Sequence, residues 1–427
     1  GSCGTRHLAG FAVHCHPKRK GPRLVMTRIS LLLILAVVAA RGAAAETVYP
    51  HADEPIGDVR RVYDGALMPD LQVNTFRNID RLFATRIVRH GAAVYPLPES
   101  GTPLTALSFR SMDNDYDLYD YVSLNRVSGL LVIKDDAIAY ETYQLGNSEK
   151  TRWMSMSVVK SITAMLVGAA IRDGYIGSLD DPVTRYVTGL RGSAYEGVSV
   201  RHLIQMASGV GWNETYTDPS SDRRRLLEAQ IAQRPGAMIE VMAGLSRVAE
   251  PGTRWNYSTG ETQVVAALVQ AATKRPLADY LSEKIWARFG MESDATWWLD
   301  SPGGVEVGGS GLSATLRDYG RFGLFMLHGG VVDGEQILPD GWMEAASSPK
   351  LVGGRHVDYG YLLWPVPDST GTIHEGAYEA IGIFGQYIYV NPGERVVIVV
   401  WSARPKPLAG TVIPDDAFFA AVCEALR

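Results

Sequence analysis

Apolar and β-branched residues cluster near both ends of the chain. Helix-period apolar patterns lie between them. Ser128–Lys134 and Ala137–Tyr143 are two such runs around Asp135-Asp136, a pattern that predicts a β-hairpin. Gly385–Val390 and Arg395–Trp401 flank Asn391-Pro-Gly-Glu394 and predict a second hairpin. Between them, Ser157–Ile171 carries apolar residues at 158, 159, 162, 165, 166 and 169, a 3.6-residue period, and Asp173-Gly174 stops it. Further helices are predicted over about Glu261–Thr273, Leu316–His328 and Asp415–Leu426. Strands at both ends with helices between them predict an α+β sandwich. One antiparallel sheet would be built from both termini, flanked by helices, with a mostly helical region inserted over about 175–345. Residues 46–110, rich in Pro, Arg and Asp and weakly periodic, read as an irregular N-terminal extension to a domain over 111–427.

The start of the chain has a different character. Met26-Thr-Arg28, the apolar run Ile29–Ala39 and the small residues Ala43-Ala44-Ala45 have the layout of a secretory signal. That run is short for a spanning helix, which needs about 20 residues. The expectation is an exported chain beginning near Glu46, periplasmic or secreted, without a stable membrane span. Residues 1–25 are set apart from the fold.

Seven of the 41 basic residues and none of the 46 acidic ones lie in residues 1–45, so the remaining body carries a formal charge of −12. Such a body repels phosphate backbones, which argues against nucleic acid and for a small-molecule partner. Past the leader only Cys423 remains, in an apolar segment. No internal disulfide is possible there, and no cysteine or histidine cluster suggests zinc, so neither metal nor cofactor is expected.

The candidate chemistry begins at Ser157. A serine hydroxyl needs a base to become a nucleophile. Lys160 lies three residues on, on the same helical face. Its amine must shed a proton that a free lysine holds until pH ~10.4. A second Ser-x-x-Lys, Ser347-Ser-Pro-Lys350, contains Pro349, which opposes a continuous helical turn. Tyr257-Ser258-Thr259, just before a helix, offers a phenol that can relay protons. Gly382-Ile383-Phe384-Gly385 heads a strand that can offer a backbone N–H to an oxyanion, with glycine permitting close approach of substrate. Each segment alone also has a plain structural reading. Ser157 would be a helix N-cap beside a solvated lysine, Tyr257 a residue packed on a turn, and Gly382 a strand-entry bend. No Gly-x-Ser-x-Gly elbow is present.

Taken in order, several segments resemble the serine β-lactamase and penicillin-binding-protein superfamily, in its class C and esterase branch. They are Trp153–Ser161, Val200–Gly209, Pro251–Gly260, Gly309–Asp318 and Gly382–Pro392. Within it, Trp212–Ser220 is similar to the tyrosine-bearing loop of 6-aminohexanoate-dimer hydrolases and related carboxylesterases. The resemblance implies a β-lactamase-like fold and a serine hydrolase. Ser157 would be the nucleophile, Lys160 and Tyr257 the acid–base pair, and the N–H groups of Ser157 and Ile383 the oxyanion hole. Tyr216, Thr259 and Gly382 would be substrate-side contacts. One departure stands out. The superfamily's Lys-Thr-Gly or His-Thr-Gly is matched here by Ala380-Ile381-Gly382, which lacks the cation and hydroxyl that hold a β-lactam carboxylate. That points to linear amides or carboxylic esters. A β-lactamase or cell-wall peptidase, and a catalytically silent binding protein on the same fold, are the alternatives. His374 and Tyr378, just upstream, are further candidates to line the site, although an ordinary surface or hydrogen-bonded role is the first expectation for His374.

Overall fold

The computed structural model describes residues 49–427. The expected leader over 26–45 and the segment before it lie outside the described residues.

The two expected hairpins lie side by side in a six-stranded sheet, with Ala137–Tyr143 at its edge. Its strands run in the order Trp364–Pro365, Tyr378–Gly382, Gln386–Asn391, Val396–Ser402, Val127–Lys134 and Ala137–Tyr143. Every neighbouring pair is antiparallel. Asp135 and Asp136 both have positive φ, 50° and 63°, as a two-residue turn matched to strand twist requires. The Asn391 side chain accepts the Glu394 N–H at 3.0 Å and closes the other turn. Val399 sits opposite Leu131, so the central pairing joins the two ends of the described chain.

The central strands are buried on both faces, which is why they read as unbroken apolar runs rather than alternating ones. Leu131, Ile133, Val397 and Val399 pack on one face, with the helices Val158–Arg172 and Leu316–Leu327 above them. Gly323 lets the second helix lie close, since a Cβ there would meet Val397 at 2.4 Å. Leu130, Val132, Ile398 and Val400 pack on the other face against Phe418, Phe419, Val422 and Cys423 of the Asp415–Ala425 helix. Cys423 is thus the core residue its apolar segment suggested. The architecture is the expected α+β class.

One expectation changes. The stretch before residue 110 is not simply irregular. It contains the helices Val59–Tyr63 and Pro69–Phe76 and the strand Thr85–Val88. Val62, Tyr63, Val73 and Phe76 join the same core as the Val158–Arg172 helix. The inserted region is mostly helical, as expected, and also carries short strands. Its strands Ala295–Trp298 and Leu312–Thr315 form a second, four-stranded antiparallel sheet with Thr85–Val88 and Arg152–Met154. Strands of three or four residues are too short to show an alternation. This small sheet matters for the site, because Arg152–Met154 runs directly into Ser157.

Asp318 ties the Leu316–Leu327 helix to its surroundings. It is fully buried. It accepts hydrogen bonds from the backbone of Glu292 and Ser293 and from the side chains of Thr315 and Arg321. Truncation would remove the buried partner of the Arg321 guanidinium and leave it only the Tyr95 carbonyl and the half-exposed Glu292 at 3.2 Å. Asp318→Ala should therefore lose about 3–5 kcal/mol of stability, read as a lowered urea midpoint. A loss below ~1 kcal/mol would show that the network carries little.

Candidate active site

The small sheet holds the approach to Ser157. The Ser155 N–H donates to the Leu312 carbonyl at 2.7 Å. Met156 then takes φ 42°, a left-handed conformation that non-glycine residues seldom adopt. Ser157 follows as the N-cap of the Val158–Arg172 helix, yet its side chain caps no helical N–H. An ordinary N-cap serine would spend its oxygen there. Instead Ser157 Oγ lies 2.9 Å from Lys160 Nζ.

Lys160 is 2% exposed. Its Nζ also lies 3.0 Å from Thr259 Oγ1 and 2.9 Å from the Gly309 carbonyl. Burial among these neutral partners lowers its pKa from 10.5 to about 7. The Glu214 carboxylate opposes that shift and the Arg223 guanidinium adds to it. A large fraction of the amine is therefore unprotonated at neutral pH, and able to take a hydroxyl proton.

The Tyr257 ring stands 5.2 Å from Lys160 Nζ, and Ser157 is among the groups acting on its phenol. Trp364 stacks on the ring at 5.6 Å and Tyr359 meets it edge-on at 6.0 Å. Burial pushes the phenol's pKa up, the nearby Glu214 charge adds to that, and Ser157 partly offsets both. Tyr257 consequently keeps its proton at neutral pH and is able to donate it.

The strand Tyr378–Gly382 delivers the third element. A Cβ on Gly382 would come within 2.9 Å of the Ser155 carbonyl oxygen, so glycine permits the strand end to lie against the serine segment. Among the described residues, neither the Ser157 nor the Ile383 N–H makes a backbone hydrogen bond. Beside them opens a cleft of about 660 Å³, lined by Glu214, Tyr216, Tyr257, Trp364, Ile381, Gly382, Ile383 and Leu408 among others. No basic side chain lines it. Ile381, in the place where the superfamily has a hydroxyl, contributes to this apolar wall.

Seven residues predicted from sequence thus come together: Ser157, Lys160, Tyr257, Thr259, Tyr216, Gly382 and Ile383. Tyr216 is buried and stacks on Tyr63 at 6.5 Å, so the N-terminal region supports the loop that bears it. Two candidates fall elsewhere. His374 bonds Tyr389 and the Asp416 carbonyl on the side of the sheet covered by the C-terminal helix. Tyr378 is a core residue. Neither lines the cleft. The second Ser-x-x-Lys is taken apart by Pro349. Ser347 ends its helix and donates to the Met343 carbonyl, Ser348 is extended, and Lys350 begins a strand.

Glu214 and Arg223 are functional candidates that sequence reasoning missed. Glu214 accepts the Thr259 N–H at 2.8 Å and also the Thr259 hydroxyl and the Trp212 indole N–H. A carboxylate two residues before Tyr216 was a visible signal, but its reach to Thr259 was not. Among the described residues no cluster of three or more His, Cys, Asp or Glu is arranged to hold a metal, and no helix is long and apolar enough to cross a membrane.

Residues 125–420 match the β-lactamase family. A 6-aminohexanoate-dimer hydrolase of Paenarthrobacter ureafaciens is 30% identical over 354 residues, which cover 78% of this chain and 85% of that protein. A Bacillus anthracis protein assigned as a 6-aminohexanoate-dimer hydrolase superposes with a TM-score of 0.70 at 21% identity, covering 83% of this chain and 92% of that one. A penicillin-binding protein of Bacillus halodurans superposes with a TM-score of 0.57 at 16% identity, covering 73% and 100%. The chain belongs to the β-lactamase family and has the fold of the serine β-lactamases and penicillin-binding proteins.

The lowered Lys160 pKa has a thermodynamic signature. Between about pH 7 and 10.5 the unfolded chain binds a proton at this lysine that the folded protein does not. Folded stability therefore falls by about 1.4 kcal/mol per unit as pH drops through that window. Methionine at 160 has no such slope. The stability difference, Lys160→Met minus wild type, should grow as pH falls from 10 to 7 in urea unfolding. A difference independent of pH would mean that Lys160 keeps an ordinary pKa.

Proposed function

We propose that this member of the β-lactamase family hydrolyses a linear amide or a carboxylic ester through an acyl-enzyme on Ser157. The observation that carries this reading is the buried Lys160 amine, 2.9 Å from a serine hydroxyl left free by the helix it caps. Ser157 Oγ attacks the carbonyl carbon while Lys160 Nζ takes its proton. The carbonyl oxygen gains the negative charge, which the Ser157 and Ile383 N–H groups stabilise. Tyr257 gives its phenolic proton to the departing amine or alcohol and is reprotonated from the Lys160 ammonium. In the second half, water gives a proton to the same groups and attacks the ester. Ser157 Oγ then leaves with a proton, and the carboxylic acid is released.

The cleft supports the choice of substrate class. Ala380 and Ile381 supply neither cation nor hydroxyl, and no basic side chain lines the walls. A β-lactam carboxylate therefore has no counter-charge there, whereas a neutral acyl chain meets apolar surface. The signal-like segment before residue 46 supports export to the periplasm or medium.

A fluorophosphonate probe should label the wild type and not Ser157→Ala, and ester turnover in that variant should drop at least ~1,000-fold. Short p-nitrophenyl esters or linear amides should be hydrolysed faster than a chromogenic cephalosporin. The acid limb of kcat/KM should report an apparent pKa near 7, with activity rising as Lys160 loses its proton. Undiminished turnover in Ser157→Ala would contradict the assignment. A preference for the cephalosporin would replace the substrate class with β-lactams.

A further inference from the structure

A neutral amine has two N–H donors and one lone pair. Lys160 Nζ has three polar neighbours: Ser157 Oγ, Thr259 Oγ1 and the Gly309 carbonyl. For the lone pair to accept the Ser157 proton, both N–H groups must be directed at the other two. The Gly309 carbonyl can only accept. The Thr259 hydroxyl is ambivalent. If it donated to Nζ, the lone pair would be occupied and Ser157 would have no base.

Glu214 removes that ambiguity. One carboxylate oxygen accepts the Thr259 hydroxyl and the other accepts the Thr259 N–H at 2.8 Å. The threonine is gripped at two points, with its proton turned away from Lys160. The Trp212 indole N–H donates to the same carboxylate. With three donors on it, the carboxylate has limited capacity left for a substrate group, although it stands at the cleft wall. The charged groups acting on Lys160 are Glu214, from the Trp212–Ser220 loop, and Arg223, on the helix Asp222–Ile231. Arg223 is buried against the Tyr63 ring at 4.3 Å. Tyr257 faces the amine as a neutral phenol.

We propose that Glu214 is a positioning residue, which fixes the Thr259 hydroxyl as an acceptor and thereby aims the Lys160 lone pair at the Ser157 hydroxyl. This rests on the reading of Ser157 and Lys160 as nucleophile and base. Glu214 acts through Thr259 and touches no reacting atom.

The test uses Glu214→Gln, Thr259→Val and Thr259→Ser in the full protein with a p-nitrophenyl ester. Glutamine has one acceptor oxygen and an NH2 group, so it cannot accept both threonine bonds. Glu214→Gln should lower kcat about 10–100-fold with KM nearly unchanged. Its acid limb in kcat/KM should move to lower pH, because the carboxylate that favours the ammonium is gone. Thr259→Val should lose a comparable factor and Thr259→Ser should retain most activity. The Gln–Val double variant should be no slower than the worse single one.

A raised KM with kcat intact in Glu214→Gln would place the carboxylate on the substrate and overturn the proposal. Independent, multiplicative losses in the double variant would do so as well. If Glu214→Gln does not fold, the two Thr259 variants still decide, and equal activity of the serine and valine forms would overturn it. Fluorophosphonate labelling of wild-type Ser157 separates the two levels. Without labelling the parent reading fails. With labelling, and with an unchanged rate and acid limb in Glu214→Gln, only the positioning role fails.

Discussion

A lysine amine held out of water without a carboxylate against it is the constraint on which this structure depends. A buried ammonium costs several kcal/mol unless it is paired, so Lys160 is tolerated mainly as the free base. Its three partners are neutral oxygens drawn from three separate parts of the chain. Ser157 comes from its own helix, Thr259 from the head of the Thr259–Thr273 helix and Gly309 from the approach to the Leu312–Thr315 strand. Disturbing any of these elements either admits water to the amine or leaves a buried polar group unpaired. The charged residues nearby, Glu214 and Arg223, act on it from a distance and in opposite senses.

The rest of the fold can be understood as the means of keeping that assembly closed. The large sheet presents the end of Tyr378–Gly382 to the serine segment, close enough that only glycine fits against the Ser155 carbonyl. The small sheet anchors the opposite side through Ser155 and Leu312 and forces Met156 into a left-handed turn. The aromatic wall of Tyr257, Tyr359 and Trp364 excludes water from one side. The loop bearing Glu214 and Tyr216 closes the other, itself packed on Tyr63 from the N-terminal region. The region with the least legible sequence thus supports the site.

Legibility followed element length. The helix beginning at Val158 and the strand Val396–Ser402 were recognisable because 15 residues of helical period, or the unbroken apolar run Val396–Trp401, leave no competing pattern. The strands Thr85–Val88 and Arg152–Met154 have four and three residues, and only their long-range pairing makes them strands. The proximity of Ser157, Lys160 and Tyr257 could be anticipated because the proposed chemistry needs particular residue types in a particular order. Glu214 was not, because nothing local marks a carboxylate that grips a threonine 45 residues away. His374 shows the converse. A histidine near a motif in sequence lies across a sheet from it in space, bonded to Tyr389.

The central claim is that Lys160 is largely a free amine near pH 7. A direct measurement is the NMR titration of the protein labelled with 13C at lysine Cε, with Lys160→Met used to identify the resonance. One lysine signal, missing from the variant, should titrate with a midpoint near 7. If the Lys160 signal instead titrates near about 10.4, the amine is an ordinary ammonium at neutral pH and Ser157 is not activated by it.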